Sequence, residues 1–244
     1  MIPLSILISS HGRKPLLARL QQSLQAQTFA DYEILIGETQ HGRSLAVVRN
    51  ELYRRARGRW VYFLDEDCVL PDPEFLARMS ANLKSERAFG GGYIGRGLSI
   101  WQKSYNALVN YWLHLHARRG QALPVAGNFL MPRLGEEFGE DFPFSRAHSF
   151  GGEEVSLRLN LLTRGIGFDL REDFSVVHDG GKRAVDFFRG AWRHGQADHQ
   201  PVRAGFALTH FFSNFRGGGV RATSLMLAYL SLVWMSRQLW PASQ

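Results

Sequence analysis

The N-terminal third of the chain alternates between short apolar runs and segments with an amphipathic helical pattern. Apolar and β-branched residues fill positions 3–9, 32–37 and 60–64, as is typical of strands buried on both faces. Residues 13–27 and 44–56 lie between these runs and repeat leucine and valine at helical spacing. The alternation predicts a parallel sheet that is covered by helices on both faces.

The pattern continues less regularly toward the C-terminus. Asp72-Pro73 predicts a helix start with an N-cap acid, followed by a buried stripe of Phe75, Leu76, Met79 and Leu83. Residues 89–95, 125–133 and 174–178 read as further strands, and a helix is expected around 99–117. A last clear helix is predicted at 151–165, with Gly165 at its end and an inward face of Val155, Leu159 and Leu162.

Composition places the chain among ordinary globular proteins. Of its 244 residues, 45% are hydrophobic and 21% are charged, so disorder is not expected. Cys68 is the single cysteine, which excludes an intrachain disulfide and favours a reducing compartment. The N-terminus lacks a basic segment and a cleavage site, so it reads as a first strand rather than a signal peptide. A cytoplasmic protein is expected.

Positive charge is concentrated at the C-terminal end. From Asp179 onward there are eight basic and three acidic residues, giving +5 of the net charge of +7, which suggests an anionic partner. Residues 222–236 carry no charge and are flanked by Arg221 and Arg237, but this run is shorter than a membrane span. It predicts a helix that makes peripheral contact with the inner face of a membrane, or one that packs on the rest of the protein.

Three consecutive acids follow the apolar run at 60–64. Asp65 and Asp67 share a face of an extended segment, whereas Glu66 points elsewhere. Because ligands bind beyond the carboxyl ends of strands in such sheets, the two aspartates are candidates to hold Mg²⁺ or Mn²⁺ and a diphosphate. A solvated loop is the plain alternative. A dehalogenase-like phosphatase would also use such a motif, but normally on the first strand of its core.

The order of motifs resembles the family 2 glycosyltransferases of GT-A fold. The resemblance rests on residues 47–68 (VVRNELYRRARGRWVYFLDEDC), 127–133 (GNFLMPR) and 150–165 (FGGEEVSLRLNLLTRG), and it extends over residues 3 to about 195. It implies an open, mostly parallel α/β sheet flanked by helices. Residues 1–200 would form the transferase domain, with a nucleotide-binding half at 1–95 and an acceptor and catalytic half at 96–200. Residues 201–244 would form a C-terminal helical extension.

The resemblance also implies roles for individual residues. Glu154 would be the general base, with Glu153 as the next candidate, and Asp65, Asp67 and His178 would hold Mn²⁺ or Mg²⁺. Gly127 and Asn128 would lie at the acceptor. The nucleotide-sugar would contact Ser9, His11, Arg13, Glu38, Arg49, Asn50, Asp65, Glu66, Asp67 and Arg193. The chain departs from the family pattern at Glu38, where an Asp-rich turn is usual, and at Glu154, where aspartate is usual.

The expected function is therefore metal-dependent, inverting transfer of a sugar from a nucleotide-sugar, with UDP-sugars as the first candidates, to a glycan or lipid-linked acceptor. A sugar-phosphate nucleotidyltransferase would need a glycine-rich basic loop after the first strand, where SSHGRK offers one glycine. A basic protein that binds nucleic acid or membrane without catalysis would need exposed aromatics among basic residues. The aromatics here cluster in apolar runs, so no nucleic acid partner is expected.

Overall fold

The computed structural model describes residues 3–39, 43–83, 87–95, 98–135, 142–145 and 153–196, together with Ala228 and Ser231. The predicted C-terminal extension and its membrane contact lie outside the described residues, apart from these two helical positions. The side chains of Glu153 and Arg193 also lie outside them. Within the described ranges, no helix combines the length and apolar character needed to cross a membrane.

Within the described residues, nine strands form two sheets. In chain order they are β1 (Leu4–Ser10), β2 (Tyr32–Glu38), β3 (Trp60–Asp65), β4 (Cys68–Val69), β5 (Ala88–Gly90), β6 (Tyr93–Ile94), β7 (Asn128–Pro132), β8 (Phe168–Leu170) and β9 (Val176–His178). The larger sheet has the order β2-β1-β3-β7-β5-β8, and only β7 runs against the other strands. The smaller sheet has the order β4-β9-β6. The predicted α/β class with a mostly parallel sheet is confirmed.

In the part of the chain described up to Gln196, six helices flank the sheets. They are α1 (Lys14–Gln25), α2 (Leu45–Arg55), α3 (Phe75–Ser80), α4 (Ile100–Arg118), α5 (Glu153–Leu162) and α6 (Ala184–Gln196), with a 3-10 turn at Glu172–Phe174. Hydroxyl side chains begin two of them, since Ser44 accepts the Val47 N–H and Ser99 accepts the Gln102 N–H. The strand–helix alternation predicted for the first third of the chain is confirmed.

The core has two layers, one on each face of the larger sheet. On one face, Leu4, Ile6 and Ile8 of β1 pack in a cluster that includes Leu20 and Leu24 of α1. On the other face, residues such as Leu7, Val61 and Phe63 pack in a cluster with α2 and α5. The central strands therefore bury alternate side chains on both faces, which explains why they read as continuous apolar runs.

Two local predictions are wrong. Helix α3 begins at Phe75 with Glu74, and not the predicted Asp72, at its N-cap position, although the Asp72 carboxylate accepts the Glu74 N–H and pairs with Arg78. On α5, Leu159 and Leu162 are exposed, whereas Leu157 and Leu161 are buried. The predicted end of α5 is confirmed, since Gly165 adopts a positive φ of 71° just beyond it.

The Gly90-Gly91-Gly92 run lets three backbones approach one another. A Cβ at Gly91 would lie 2.2 Å from the carbonyl carbon of Phe174 and 2.3 Å from the Ser175 nitrogen. Neighbouring backbone cannot move away cheaply, so Gly91→Ala should lower the melting temperature by roughly 5–10 °C. Gly95→Ala is the matched control, because its Cβ would be 3.4 Å from the Lys103 Cγ, an ordinary contact. Equal thermal melts of both variants would contradict this account.

Candidate active site

Strand pairing brings the acidic segment and the last strand together. Strand β4 pairs antiparallel with β9, and the register sets Cys68 opposite His178. The Asp179 N–H also donates to the Asp67 carbonyl at 2.8 Å. Asp67 and His178, which are far apart in sequence, are therefore neighbours at the carboxyl edge of the larger sheet, where β1 and β3 also end.

Asp67 lies between a guanidinium and an imidazole. Its Oδ2 accepts a hydrogen bond from Arg13 Nη2 at 2.9 Å, and its Oδ1 is 3.4 Å from His178 Nε2. Burial raises the pKa of Asp67, but His178 and Arg13 outweigh burial and hold this pKa well below its usual range. The carboxylate is therefore ionised and is fixed in position at neutral pH.

Two amides on α4 orient the imidazole of His178. The Asn106 Nδ2 donates to the carbonyls of His178 and Ile94, at 2.9 and 3.2 Å, and its Oδ1 lies 2.9 Å from the His178 Nδ1. Gln102 Nε2 lies 3.2 Å from the same ring nitrogen, and the Tyr93 ring stacks on the imidazole at 4.1 Å. Because the amides of α4 hold the Nδ1 side of the ring, Nε2 faces the Asp67 carboxylate at 3.4 Å, where a proton or a metal ion can lie between them.

The two facing atoms fit a divalent cation. Two ligands about 2.1 Å from one ion at nearly a right angle lie roughly 3.0–3.4 Å apart, which matches the separation of Asp67 Oδ1 and His178 Nε2. Mg²⁺ and Mn²⁺ are commonly held by one or two protein ligands plus substrate phosphates. Among the described residues, no group of three or more acidic, histidine or cysteine side chains could hold a metal. Asp67 and His178 are thus, among the described residues, the pair placed to hold the ion, and substrate phosphates could supply further ligands.

Asp65 has different partners from Asp67. Its Oδ1 accepts from Arg49 Nη2 at 2.7 Å and from Ser9 Oγ at 2.8 Å. Arg49 is buried and lies over the Phe144 ring at 5.2 Å, so this aspartate is the charge partner of an internal cation. Gly127 leaves room for the carboxylate, because a Cβ there would be 2.2 Å from Asp65 Oδ2. Asp65 therefore forms an ion pair with Arg49. The metal role predicted for Asp65 remains a prediction.

Glu66, predicted to contact the nucleotide-sugar, is instead almost completely buried. Its carboxylate accepts from Ser10 Oγ at 2.6 Å, from the Arg13 N–H at 3.1 Å and from Arg13 Nε at 2.6 Å. Burial raises the pKa of Glu66, but these hydrogen bonds and the Arg13 charge lower it overall. Glu66 therefore holds the loop after β1 and positions the guanidinium that reaches Asp67.

Two asparagines predicted to bind ligands are committed to backbone contacts. Asn50 exchanges two hydrogen bonds with the backbone of Phe144, at 2.7 and 3.0 Å. Asn128 accepts from the Tyr62 hydroxyl and donates to the carbonyls of Gly92 and Phe174. Both side chains are fully buried. These amides hold the fold around the site, and the ligand contacts predicted for Asn50 and Asn128 remain predictions.

The ends of β1 and β2 form the exposed part of the site. His11 is exposed, and its Nδ1 lies 2.9 Å from the Thr39 hydroxyl, next to Glu38 at the end of β2. The Thr39 N–H also donates to the Ser10 carbonyl at 2.8 Å, which joins the two strand ends. The predicted nucleotide residues His11 and Glu38 are thus brought together at the edge.

Glu154 lies in the first turn of α5, and its charge reaches the same site. Burial raises the pKa of Tyr105, and the negative charges of Glu154, Asp67 and Asp65 raise it further. The Tyr105 ring in turn lies 5.8 Å from the His178 ring, centroid to centroid. The predicted base and the predicted metal ligands therefore act electrostatically on one buried phenol.

The sequence analysis missed the polar stripe of α4. Gln102, Asn106 and Asn110 recur every four residues and all face the smaller sheet, where Asn110 bonds both the N–H and the carbonyl of Tyr93. Three amides at helical spacing in a helix rich in apolar and aromatic residues were the available signal. Lys182, which follows the Gly180-Gly181 turn, was also missed.

Comparisons with known proteins support the fold. No protein-family model and no curated protein matches the chain by sequence. Among solved structures, a mannosyltransferase, PcManGT from Pyrobaculum calidifontis in complex with GDP-Man and Mn²⁺, is similar over 99% of this chain and 75% of its own, with a TM-score of 0.59 and 14% identity. S. aureus TarS 1-349 in complex with UDP is similar over 97% of this chain and 73% of its own, with a TM-score of 0.50 and 11% identity. The chain has a GT-A-like glycosyltransferase fold.

Proposed function

We propose that this protein is a metal-dependent glycosyltransferase that moves a sugar from a nucleotide-sugar to an acceptor hydroxyl with inversion. The observation that carries the proposal is the Asp67–His178 pair at the carboxyl edge of a GT-A-like sheet, with facing ligand atoms 3.4 Å apart. On this fold, such an edge is where a ligand binds. Glu154, whose charge raises the pKa of the same tyrosine as Asp67, would be the base of this site.

Asp67 and His178 would hold Mn²⁺ or Mg²⁺ together with the diphosphate of the donor. The bound ion would neutralise the charge that builds on the departing nucleoside diphosphate. Arg13 keeps the Asp67 carboxylate in place, and Asn106 keeps the His178 Nε2 directed at it. Because both orienting contacts are made by the protein's own residues, the site would need little reorganisation when the donor binds.

Glu154 would take the proton from the acceptor hydroxyl as that oxygen attacks the anomeric carbon. In-line attack opposite the leaving diphosphate inverts the configuration at that carbon. A carboxylate in the first turn of a helix is stabilised in its ionised form by the helix dipole, which is the form a base needs. General base catalysis of this kind contributes about 10²–10⁴-fold to a rate.

The nucleoside would bind at the exposed ends of β1 and β2. Ser9, His11 and Glu38 end these strands, and Arg49 and Asp65 lie beside them. Arg193, on α6, remains a candidate for the diphosphate. A UDP-sugar is the first donor to test, and GDP-mannose the second, because the two similar structures contain UDP and GDP-Man. The acceptor would be a glycan or a lipid-linked glycan, whose hydroxyl must reach Glu154.

A thermal-shift panel tests this function. We expect a nucleotide-sugar or its nucleoside diphosphate to raise the melting temperature, and Mn²⁺ to enlarge the shift, because ligands that bind the folded state stabilise it. At a ligand concentration one hundred times the dissociation constant, the gain is about 2.7 kcal/mol. Nucleosides with Mn²⁺ serve as the control. The proposal fails if no nucleoside diphosphate shifts the melting temperature with or without metal.

A further inference from the structure

Lys182 follows β9 in a turn that several contacts hold in place. The Lys182 N–H donates to Gln102 Oε1 at 3.2 Å, and its carbonyl accepts from Ser99 Oγ at 3.0 Å. Gly181 provides the positive φ of 65° that the turn requires. Earlier in the turn, Arg13 Nη1 donates to the Gly180 carbonyl at 3.4 Å. The turn is therefore held to the start of α4 through Lys182 and to Arg13 through Gly180.

The side chain of Lys182 turns back into the site. Its Nζ lies 4.1 Å from the centroid of the Tyr105 ring. This is the tyrosine whose pKa is raised by burial and by the charges of Glu154, Asp67 and Asp65. A Cβ added at Gly180 would be 2.9 Å from Asp67 Oδ2, so the turn passes directly over that carboxylate. Only Gly180 and Gly181 separate the lysine from the strand end that carries His178 and Asp179.

Lys182 differs from the arginines of the site in its charge partners. Arg13 pairs with Glu66 and Asp67, and Arg49 pairs with Asp65. Within the described ranges, no carboxylate lies within ion-pair distance of the Lys182 ammonium. Burial lowers the pKa of Lys182, and Arg13 lowers it further, while Asp67 and Asp186 raise it. A half-buried ammonium that rests on an aromatic face can still donate hydrogen bonds from its other side.

We propose that the Lys182 ammonium binds the terminal phosphate of a nucleoside diphosphate beside the Asp67–His178 pair. This inference rests on the proposed function, because it names one contact of the same donor. The Lys182 ammonium is a compact positive charge without a carboxylate partner among the described residues. Negatively charged phosphate oxygens would provide that partner. The contact is independent of a divalent cation, so part of the affinity for the diphosphate persists when metal is removed.

Isothermal titration calorimetry of three variants tests the contact. Lys182→Met keeps the length of the side chain and deletes its charge, Lys182→Arg keeps the charge, and Lys103→Met deletes an exposed lysine on α4. The ligands are UDP, GDP and their nucleosides, each in EDTA and in Mn²⁺. Loss of a hydrogen bond to a charged group predicts that Lys182→Met binds the preferred nucleoside diphosphate about 10–100-fold more weakly, both with EDTA and with Mn²⁺.

The controls separate this inference from the function on which it rests. Nucleoside affinity should be unchanged in all variants, Lys182→Arg should retain most of the diphosphate affinity, and Lys103→Met should match the wild type. If the wild type binds UDP or GDP and Lys182→Met binds it with equal affinity, the Lys182 contact alone is overturned. Lys182 would then only pack on the Tyr105 ring. Failure of the wild type to bind any nucleoside diphosphate would overturn both proposals. Thermal melts of each variant verify that it is folded.

Discussion

Glu154→Gln should abolish sugar transfer while leaving donor binding intact. The amide preserves the size of the side chain and cannot accept a proton, so kcat should fall by about 10²–10⁴-fold. Because Glu154 lies on α5 and the Asp67–Arg13 and Asp67–His178 contacts do not include it, the dissociation constant of the nucleotide-sugar should change little. Steady-state kinetics for transfer, together with calorimetry for donor binding, measure the two effects separately.

The neighbouring residue provides the matched control for Glu154. Glu153→Gln changes the same functional group one position earlier on the same helix, a rotation of about 100° around its axis. We expect this variant to retain most of the activity. Activity of Glu154→Gln close to that of the wild type, with a large loss in Glu153→Gln, would assign the base to Glu153. Loss of donor binding in Glu154→Gln would instead mean that this carboxylate supports the fold of the site.

The larger sheet could be predicted from sequence because its strands carry their own signal. Strands β1 and β3 are buried on both faces, so most of their positions are apolar, and the amphipathic α1 and α2 cover them. The pairing of Asp67 with His178 was also predictable, but only through the resemblance to a known family. The local sequence pattern does not predict that β4 pairs with β9, which places residue 68 opposite residue 178.

The buried face of α5 could not be predicted from periodicity. Its leucines at 157, 159, 161 and 162 surround much of the helix, so two alternative stripes fit helical spacing equally well. The structure buries Leu157 and Leu161 because the partner surface, which includes Phe129 and Phe144, lies on that side. Which stripe faces inward depends on tertiary contacts that the sequence of the helix does not contain.

The three acids after β3 could be recognised from sequence, but their division of roles could not. Extended geometry predicts that Asp65 and Asp67 share a face, yet their partners come from distant segments: Arg49 on α2 for one, and Arg13 before α1 for the other. Glu66 was grouped with the ligand contacts because it stands between them. Its burial follows from Ser10 and Arg13, which the fold brings together 53–56 residues away.

The division of roles between the two aspartates leads to the second large effect. Asp67→Asn should remove the Mn²⁺-dependent part of nucleoside diphosphate affinity, a loss of about 10–100-fold or more, since even indirect supports of a metal ligand cost that much. The amide still fills the space beside Arg13, but it lacks the charge that a divalent cation requires. Calorimetry with UDP or GDP, in EDTA and in Mn²⁺, measures the metal-dependent difference directly.

Asp65→Asn is the informative comparison, because it places the same chemical change two residues away. Asp65 is the charge partner of the buried Arg49, so its substitution should lower the melting temperature while a clear Mn²⁺ dependence of nucleotide binding remains. Loss of Mn²⁺ dependence in both variants would mean that Asp65 leaves Arg49 to join the ion when the donor binds. A retained Mn²⁺ dependence in Asp67→Asn would contradict the assignment of Asp67 and His178 as the metal ligands. The site would then neutralise the leaving diphosphate with the charges of Arg13 and Lys182, and Lys182→Met would become the variant with the largest loss of affinity.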